Sequence, residues 1–211
     1  RQITRKEFMH IAALGLGGLG LAFQSRRTSL TGFPAYDRLG RVCVGMVELK
    51  ARPSLTSQTV GVLYEDAVLP WLNERAASDI DMNRIIQRWV ETPDGYIYAP
   101  YIQPVRNLPN VAIDQLLPLS IGEGMWFEVT VPYADVILNN NPSTNSWVSA
   151  RVEQGLPVRV YYGQVFFVDR IETRDDGNIY YRVNPNYYGG LDMLWAPAEA
   201  MRPILPEEIL P

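Results

Sequence analysis

From Arg41 onward, apolar and polar residues alternate with a period of two, the mark of strands with one buried face. Val42 and Val44 begin the pattern, and Val60, Val62 and Tyr64 repeat it. Phe127, Val129, Val131 and Tyr133 then share one side of a later strand, against Glu128 and Thr130 on the other. Arg88 to Glu91 and Tyr96 to Tyr98 flank Thr92-Pro93-Asp94-Gly95. Pro in second place and Gly in fourth suit a type I turn, so the spacing predicts a hairpin. A second hairpin is predicted where Val165 to Thr173 and Ile179 to Asn184 flank Arg174-Asp175-Asp176-Gly177-Asn178. Its Asp-Gly pair suits a type I′ turn, and the two acids read as turn chemistry. Residues 72–87 are polar and helix-tolerant and read as an excursion between strands. Residues 106–121, with Pro109 and Pro118 around VAIDQLL, read as a linker with one helical turn.

The two β regions resemble copies of one another. Val47, Leu49, Pro53 and Ser54 match Val136, Leu138, Pro142 and Ser143 at a single offset. Near the far ends, Tyr98-Ala99-Pro100 with Pro104-Val105 parallels Trp195-Ala196-Pro197 with Pro203-Ile204. Modules of this size are near the lower limit for an independent core, so packing rich in aromatic side chains is expected.

The first 30 residues have a different composition. Arg1, Arg5 and Lys6 precede an uncharged apolar run over residues 11–23, too short to span a bilayer comfortably and suited to the apolar part of a secretory signal. Gly15, Gly17, Gly18 and Gly20 would cost a buried helix about 1 kcal/mol each. Thr4-Arg5-Lys6-Glu7-Phe8-Met9 resembles the twin-arginine export motif, with Lys6 in place of the second arginine. An exported, extracytoplasmic location in the cell envelope is therefore expected. No small-x-small cleavage site is clear after Phe23, which leaves the segment available as an uncleaved anchor and as the only membrane contact.

Composition removes several kinds of chemistry. The chain has 211 residues, a formal net charge of -4, one His and one Cys. Zinc held by Cys and His, a disulfide within the chain and a Ser-His-Asp triad in the body are all excluded by count. No metal and no cofactor is expected, and the absence of a basic cluster in the body argues against nucleic acid. Cys43, flanked as Val42-Cys43-Val44, reads as a small buried residue of a strand.

Several motifs resemble the bacterial Src-homology-3-like module: Val47-x-Leu49-x-x-x-Pro53-Ser54, Val60-Gly61-x-Leu63, Trp89-Val90 and Asp94-Gly95-Tyr96-Ile97. The longer arrangement is similar to the N-terminal, non-catalytic part of exported L,D-transpeptidases, cell-wall cross-linking enzymes. Trp89 to Ile97, Tyr101-Ile102-Gln103-Pro104-Val105, Gly155-Leu156-Pro157 and Trp195 to Ala200 carry that likeness. The resemblance implies an all-β fold of two small barrels in tandem after an N-terminal hydrophobic export helix. Residues 1–37 would be the export signal or anchor and linker, 38–105 the first barrel, 106–121 a linker, 122–205 a second, divergent module, and 206–211 a tail leading to a catalytic domain. It further implies that this region positions such an enzyme at peptidoglycan. The family's catalytic thiol and its two histidines have no counterpart here, since His10 lies in the export segment. A free-standing exported module binding a protein or peptide is the alternative.

For ligand contact the aromatic residues are the leading candidates: Tyr64, Trp71, Tyr96, Tyr98 and Tyr101 in the first module. If Ile97 faces the core, alternation turns Tyr96 and Tyr98 outward, where a ring can stack on a sugar or hold a peptide. The other possibility is that these rings pack against neighbouring loops or the other module. Asp79 with Asp81, and Glu65 with Asp66, read as solvated loop acids.

Overall fold

A computed structural model of the chain describes residues 32–119, 122–139, 143–183 and 193–209. The export segment expected over residues 1–37 lies outside them as far as Thr31, as do Tyr187 and Tyr188. Strand is the main regular structure among the described residues, as the alternation predicts. The first set is β1 (Leu39–Val42), β2 (Met46–Lys50), β3 (Thr59–Tyr64), β4 (Val68–Pro70), β5 (Asn73–Ala76), β6 (Arg88–Thr92), β7 (Gly95–Tyr98) and β8 (Ile102–Val105). After the short pair β9 (Pro118–Leu119) and β10 (Gly122–Glu123) come β11 (Met125–Val129), β12 (Tyr133–Asp135) and β13 (Ile137–Leu138). Helix α1 (Ser146–Glu153) precedes β14 (Arg159–Tyr161), β15 (Val165–Thr173), β16 (Ile179–Val183), β17 (Leu194–Pro197) and β18 (Met201–Pro203), and α2 (Pro206–Ile209) ends the description.

The strands of the two regions pair within each region and in the same pattern. β1 lies antiparallel between β4 and β8, as β11 lies between β15 and β18. β2 pairs with β3 as β12 pairs with β14, and the chain after each meets the last hairpin strand, β2 with β7 and β13 with β17. Each final hairpin strand runs through a single 3-10 turn, Ala99–Tyr101 or Ala198–Ala200, into the closing strand. Tyr98 and Pro197 enter those turns at φ/ψ of -62°/122° and -57°/128°; Ile102 and Met201 leave them at -132°/125° and -131°/136°. Single backbone bonds repeat as well. Val42 N–H donates to Ala67 and Val129 N–H to Gln164, while the N–H groups of Asp66 and Gly163 return to Val42 and Val129. Each region has its own core, one around Val42, Val90, Ile97 and Ile102, the other around Phe127, Val129, Val168, Tyr181 and Met201.

These equivalences move two of the expected matches by two residues and keep a third, Pro104 with Pro203, which face Gly40 of β1 and Phe127 of β11 at the same place in the pattern. Val47 corresponds to Ala134 rather than Val136, and Tyr98 to Pro197 rather than Trp195. A slip of two leaves every side chain on its own face of a strand, so the apolar pattern alone does not detect it.

Four further expectations change. Residues 72–87 contain β5 rather than only a helix-tolerant excursion; as an edge strand paired on one side to β6, it is exposed throughout and carries Asn73, Glu74 and Arg75. The described part of the 106–121 segment, residues 106–119, holds no helical turn. Pro109 and Pro118 limit helix there, and the segment runs extended so that Ile113 gives its N–H to the Tyr181 hydroxyl and accepts from it in return. The 174–178 hairpin forms, but its turn is type I closed by a left-handed glycine. Gly177 N–H donates to Arg174, Arg174 N–H to Asn178, and Gly177 alone in the turn has positive φ, at 77°. Cys43 lies just beyond β1 and is exposed, its thiol donating to the Arg41 carbonyl at 3.3 Å.

Candidate functional site

The five aromatics singled out from the sequence do not form one site. Trp71 is 5% exposed and belongs to the first core. Ile97 is fully buried, so alternation does turn Tyr96 and Tyr98 to the opposite face, but that face is covered. The loop between β5 and β6 folds back over it, and Tyr98 donates its hydroxyl proton to the Ile86 carbonyl at 2.8 Å. Tyr98 is therefore buried rather than outward-facing. Tyr96 is half-buried, its hydroxyl on Glu91 at 3.3 Å. Tyr101 and Tyr64 remain exposed, on the 3-10 turn and on β3 respectively.

What the fold does assemble is a ladder of rings. Trp89 from β6 meets Tyr98 edge-on at 5.6 Å, Tyr98 meets Tyr101 at 5.3 Å, and the Arg84 guanidinium lies 4.4 Å above the Tyr98 ring. The covering loop is held from within: the Gln87 amide donates to the Asp81 and Arg84 carbonyls, and the Asp81 carboxylate accepts from Asn83 N–H and pairs with Arg84 at 3.3 Å. Asp81 is thus occupied by its own turn. The crevice beside the ladder holds about 10 Å³, room for one water at most. Contact with a ligand here is confined to the outer surface, where Tyr101 is exposed; the covering loop separately exposes Ile80, Met82 and Ile85 at 77%, 89% and 102%.

A larger cleft lies on the second region. It has a volume of about 310 Å³, at the lower end of the range for small-ligand sites, and its lining is mostly apolar. Val148 of α1, Val160 of β14 and Phe166 of β15 line it, with Trp147, Tyr161 and Arg159 as its larger polar-tipped side chains. Helix α1 places Trp147 there. Its cap is Asn145, whose side chain accepts from the N–H groups of Trp147 and Val148, and the Arg151 guanidinium sits 5.4 Å from the Trp147 ring. The Asn145 cap was the available signal for this helix.

Beside the cleft is the polar junction between the two regions, with Asp66 at its centre. The acid follows β3 and was expected to be solvated; its side chain is only 4% exposed. It accepts from Arg41 at 2.7 Å and from Arg159 of the second region at 2.6 Å, and Arg159 also reaches Asp135 at 2.6 Å. Arg41 packs over the Tyr161 ring at 4.2 Å and Arg159 over Tyr133 at 4.0 Å. Gln103 accepts from Arg41 and donates to the Tyr162 carbonyl, and Arg151 faces Glu65 at 3.6 Å. Burial alone would lower the Arg159 pKa, but Asp135 and Asp66 overcome it and hold the guanidinium above its ordinary value. Burial pushes the phenols of Tyr133 and Tyr161 up. Asp66 was legible only through the repeat: Tyr64-Glu65-Asp66 stands where the second copy has Tyr161-Tyr162-Gly163, an acid in a glycine's place.

No protein-family model matches this chain, and no curated protein matches its sequence.

Proposed function

We propose that this chain is a non-catalytic accessory region of an exported L,D-transpeptidase, built of two Src-homology-3-like barrels that hold peptidoglycan and position the enzyme on it. The observation that carries the reading is the doubled connection of hairpin strand, 3-10 turn and closing strand, each closing strand lying against the first strand of its own region. One such unit is a small binding module; two joined through buried charge form a rigid presenting surface. The contact with the wall is assigned to the cleft at Trp147, with the Tyr101 shelf as a second point of contact. Both combine an aromatic face with a neighbouring guanidinium, a pairing suited to stacking on a sugar ring and binding a peptide carboxylate.

Sedimentation with purified sacculi tests this. Trp147→Ala is expected to reduce pelleting severalfold, and Tyr101→Ala with Arg84→Ala to reduce it less. Equal pelleting of all three proteins would sink the wall-binding reading. A second reading, an exported module for a protein partner, is favoured by the exposed aliphatic side chains of Ile80, Met82 and Ile85. Replacing those three by Ser, with Tyr101 and Arg84 kept, separates the two: on the first reading, whose main contact is at Trp147, most of the wall pelleting is expected to remain.

A further inference from the structure

We propose that β3 is an interaction edge that pairs antiparallel with β3 of a second copy of the chain, joining the five-stranded sheets of two molecules. Free sheet edges offer unpaired backbone groups, and proteins guard them with charge, proline or brevity. The five-stranded sheet runs β3-β2-β7-β6-β5, so β3 and β5 are its edges. β5 is guarded by Glu74 and Arg75. Among the described edge strands elsewhere, β4 ends in Pro70, β8 contains Pro104, β12 contains Asp135, β14 contains Arg159, and β18 contains Arg202 and Pro203. The strands β9, β10 and β13 are two residues long. β3, with the sequence TVGVLY over six residues, has neither charge, proline nor brevity; its one irregularity is a bulge at Val60, and from Gly61 to Tyr64 it is regular.

Its side chains are also those of an unfinished sheet. Val60, Val62 and Tyr64 are 49%, 40% and 39% exposed, and Met46, opposite Tyr64 on β2, is 59% exposed. The charges on β2 beside it cancel, because Lys50 pairs with Glu48 at 2.7 Å and is tied to the Thr59 hydroxyl at 2.9 Å, while Glu65, just after Tyr64, faces Arg151 at 3.6 Å. An exposed strand edge selects an extended backbone as its occupant, and the alternation of β3 is complementary to itself. Antiparallel pairing about a two-fold axis at Val62 sets Val60 of each copy opposite Tyr64 of the other, an aromatic against a β-branched residue. A two-fold contact closes on itself, so the product is a dimer and not a fibre. The strip is small for an interface, so the dimer is weak and concentration-dependent.

Sedimentation equilibrium of the full chain over a wide concentration range tests the proposal. The average mass is expected to climb from that of one chain, 23.9 kDa, toward twice that value. Val62→Lys, at a part-exposed position, is expected to hold it at one chain with an unchanged circular dichroism spectrum. In a Cys43→Ser background, Val62→Cys is expected to form a disulfide-linked dimer at least about tenfold faster than Val111→Cys, a more exposed position outside β3. A wild-type chain of constant single mass would overturn the proposal, and so would association untouched by Val62→Lys. If the chain stays single but binds an extended apolar peptide in a Val62-dependent way, the edge belongs to another partner and self-pairing is wrong.

Discussion

Asp66 is where one side chain sets terms for the rest of the molecule. Its φ of 66° is the only positive value among the described non-glycine residues, and Gly163 holds the same turn position in the second region at 78°. A left-handed conformation costs a residue with a Cβ about 1–2 kcal/mol, so the acid is kept at a position that favours glycine. Its compensation is electrostatic: two guanidinium groups from different regions converge on its two oxygens. Asp66→Gly sets the two effects against each other. The backbone gains about 1 kcal/mol, while breaking a buried pair typically costs about 3–5 kcal/mol. Arg159 keeps Asp135 and Arg41 keeps Gln103, which places the loss at the lower end of that range. The expected net result is a destabilisation of about 2 kcal/mol, read as a lower urea midpoint. A midpoint at or above that of the wild type would mean that backbone strain outweighs the ion pairs.

Elements were legible in proportion to how far one physical constraint fixed them. Strands with one buried face showed in the alternation, and both hairpins showed in their turn residues. β5 was not legible, because an exposed edge strand has no apolar face to display. The turn at 174–178 was read as the wrong type because Asp-Gly fits two geometries, and only the backbone bonds separate them. Asp176 lies outside the positive-φ region and uses its carboxylate to accept from Asn178 N–H, the Asn178 side-chain amide and the Tyr180 hydroxyl. The Asn178 backbone N–H leads in holding that carboxyl below its ordinary pKa. Two substitutions distinguish the turns. Gly177→Ala is expected to cost about 1 kcal/mol in thermal or urea unfolding, because Gly177 is left-handed. Asp176→Gly is expected to destabilise as well, since it removes three hydrogen bonds; in a type I′ turn it would be neutral or stabilising. The predicted aromatic site was legible as composition but not as placement. Alternation gave the face of Tyr98, and the fold-back of the loop just before β6, which no periodicity marks, decided that this face is covered.

At the scale of the molecule, the two regions meet among the described residues through charge and tyrosine and keep separate apolar cores, which gives their union a particular pH dependence. Tyr133 and Tyr161 lie beneath Arg159 and Arg41, and burial, the leading cause at each, raises both phenols. Tyr181, in the second core, is raised by burial in the same way. A phenol raised on folding favours the neutral form in the folded chain. Its contribution to stability is complete below the unfolded pKa of about 10 and is lost as pH rises through the higher folded value. Stability is therefore expected to hold up to about pH 10 and then fall, as the unfolded chain releases these protons first. Tyr133→Phe with Tyr161→Phe removes two of the three groups and is expected to flatten the alkaline limb of urea stability measured against pH. Tyr181→Phe, whose hydroxyl also serves Ile113, is expected to lower stability at neutral pH as well. Because the first two phenols sit at the junction, unfolding above pH 10 is further expected to separate into two transitions, one for each region. A single transition at that pH, with an alkaline limb unmoved by the double substitution, would show that the junction tyrosines do not govern how the regions hold together.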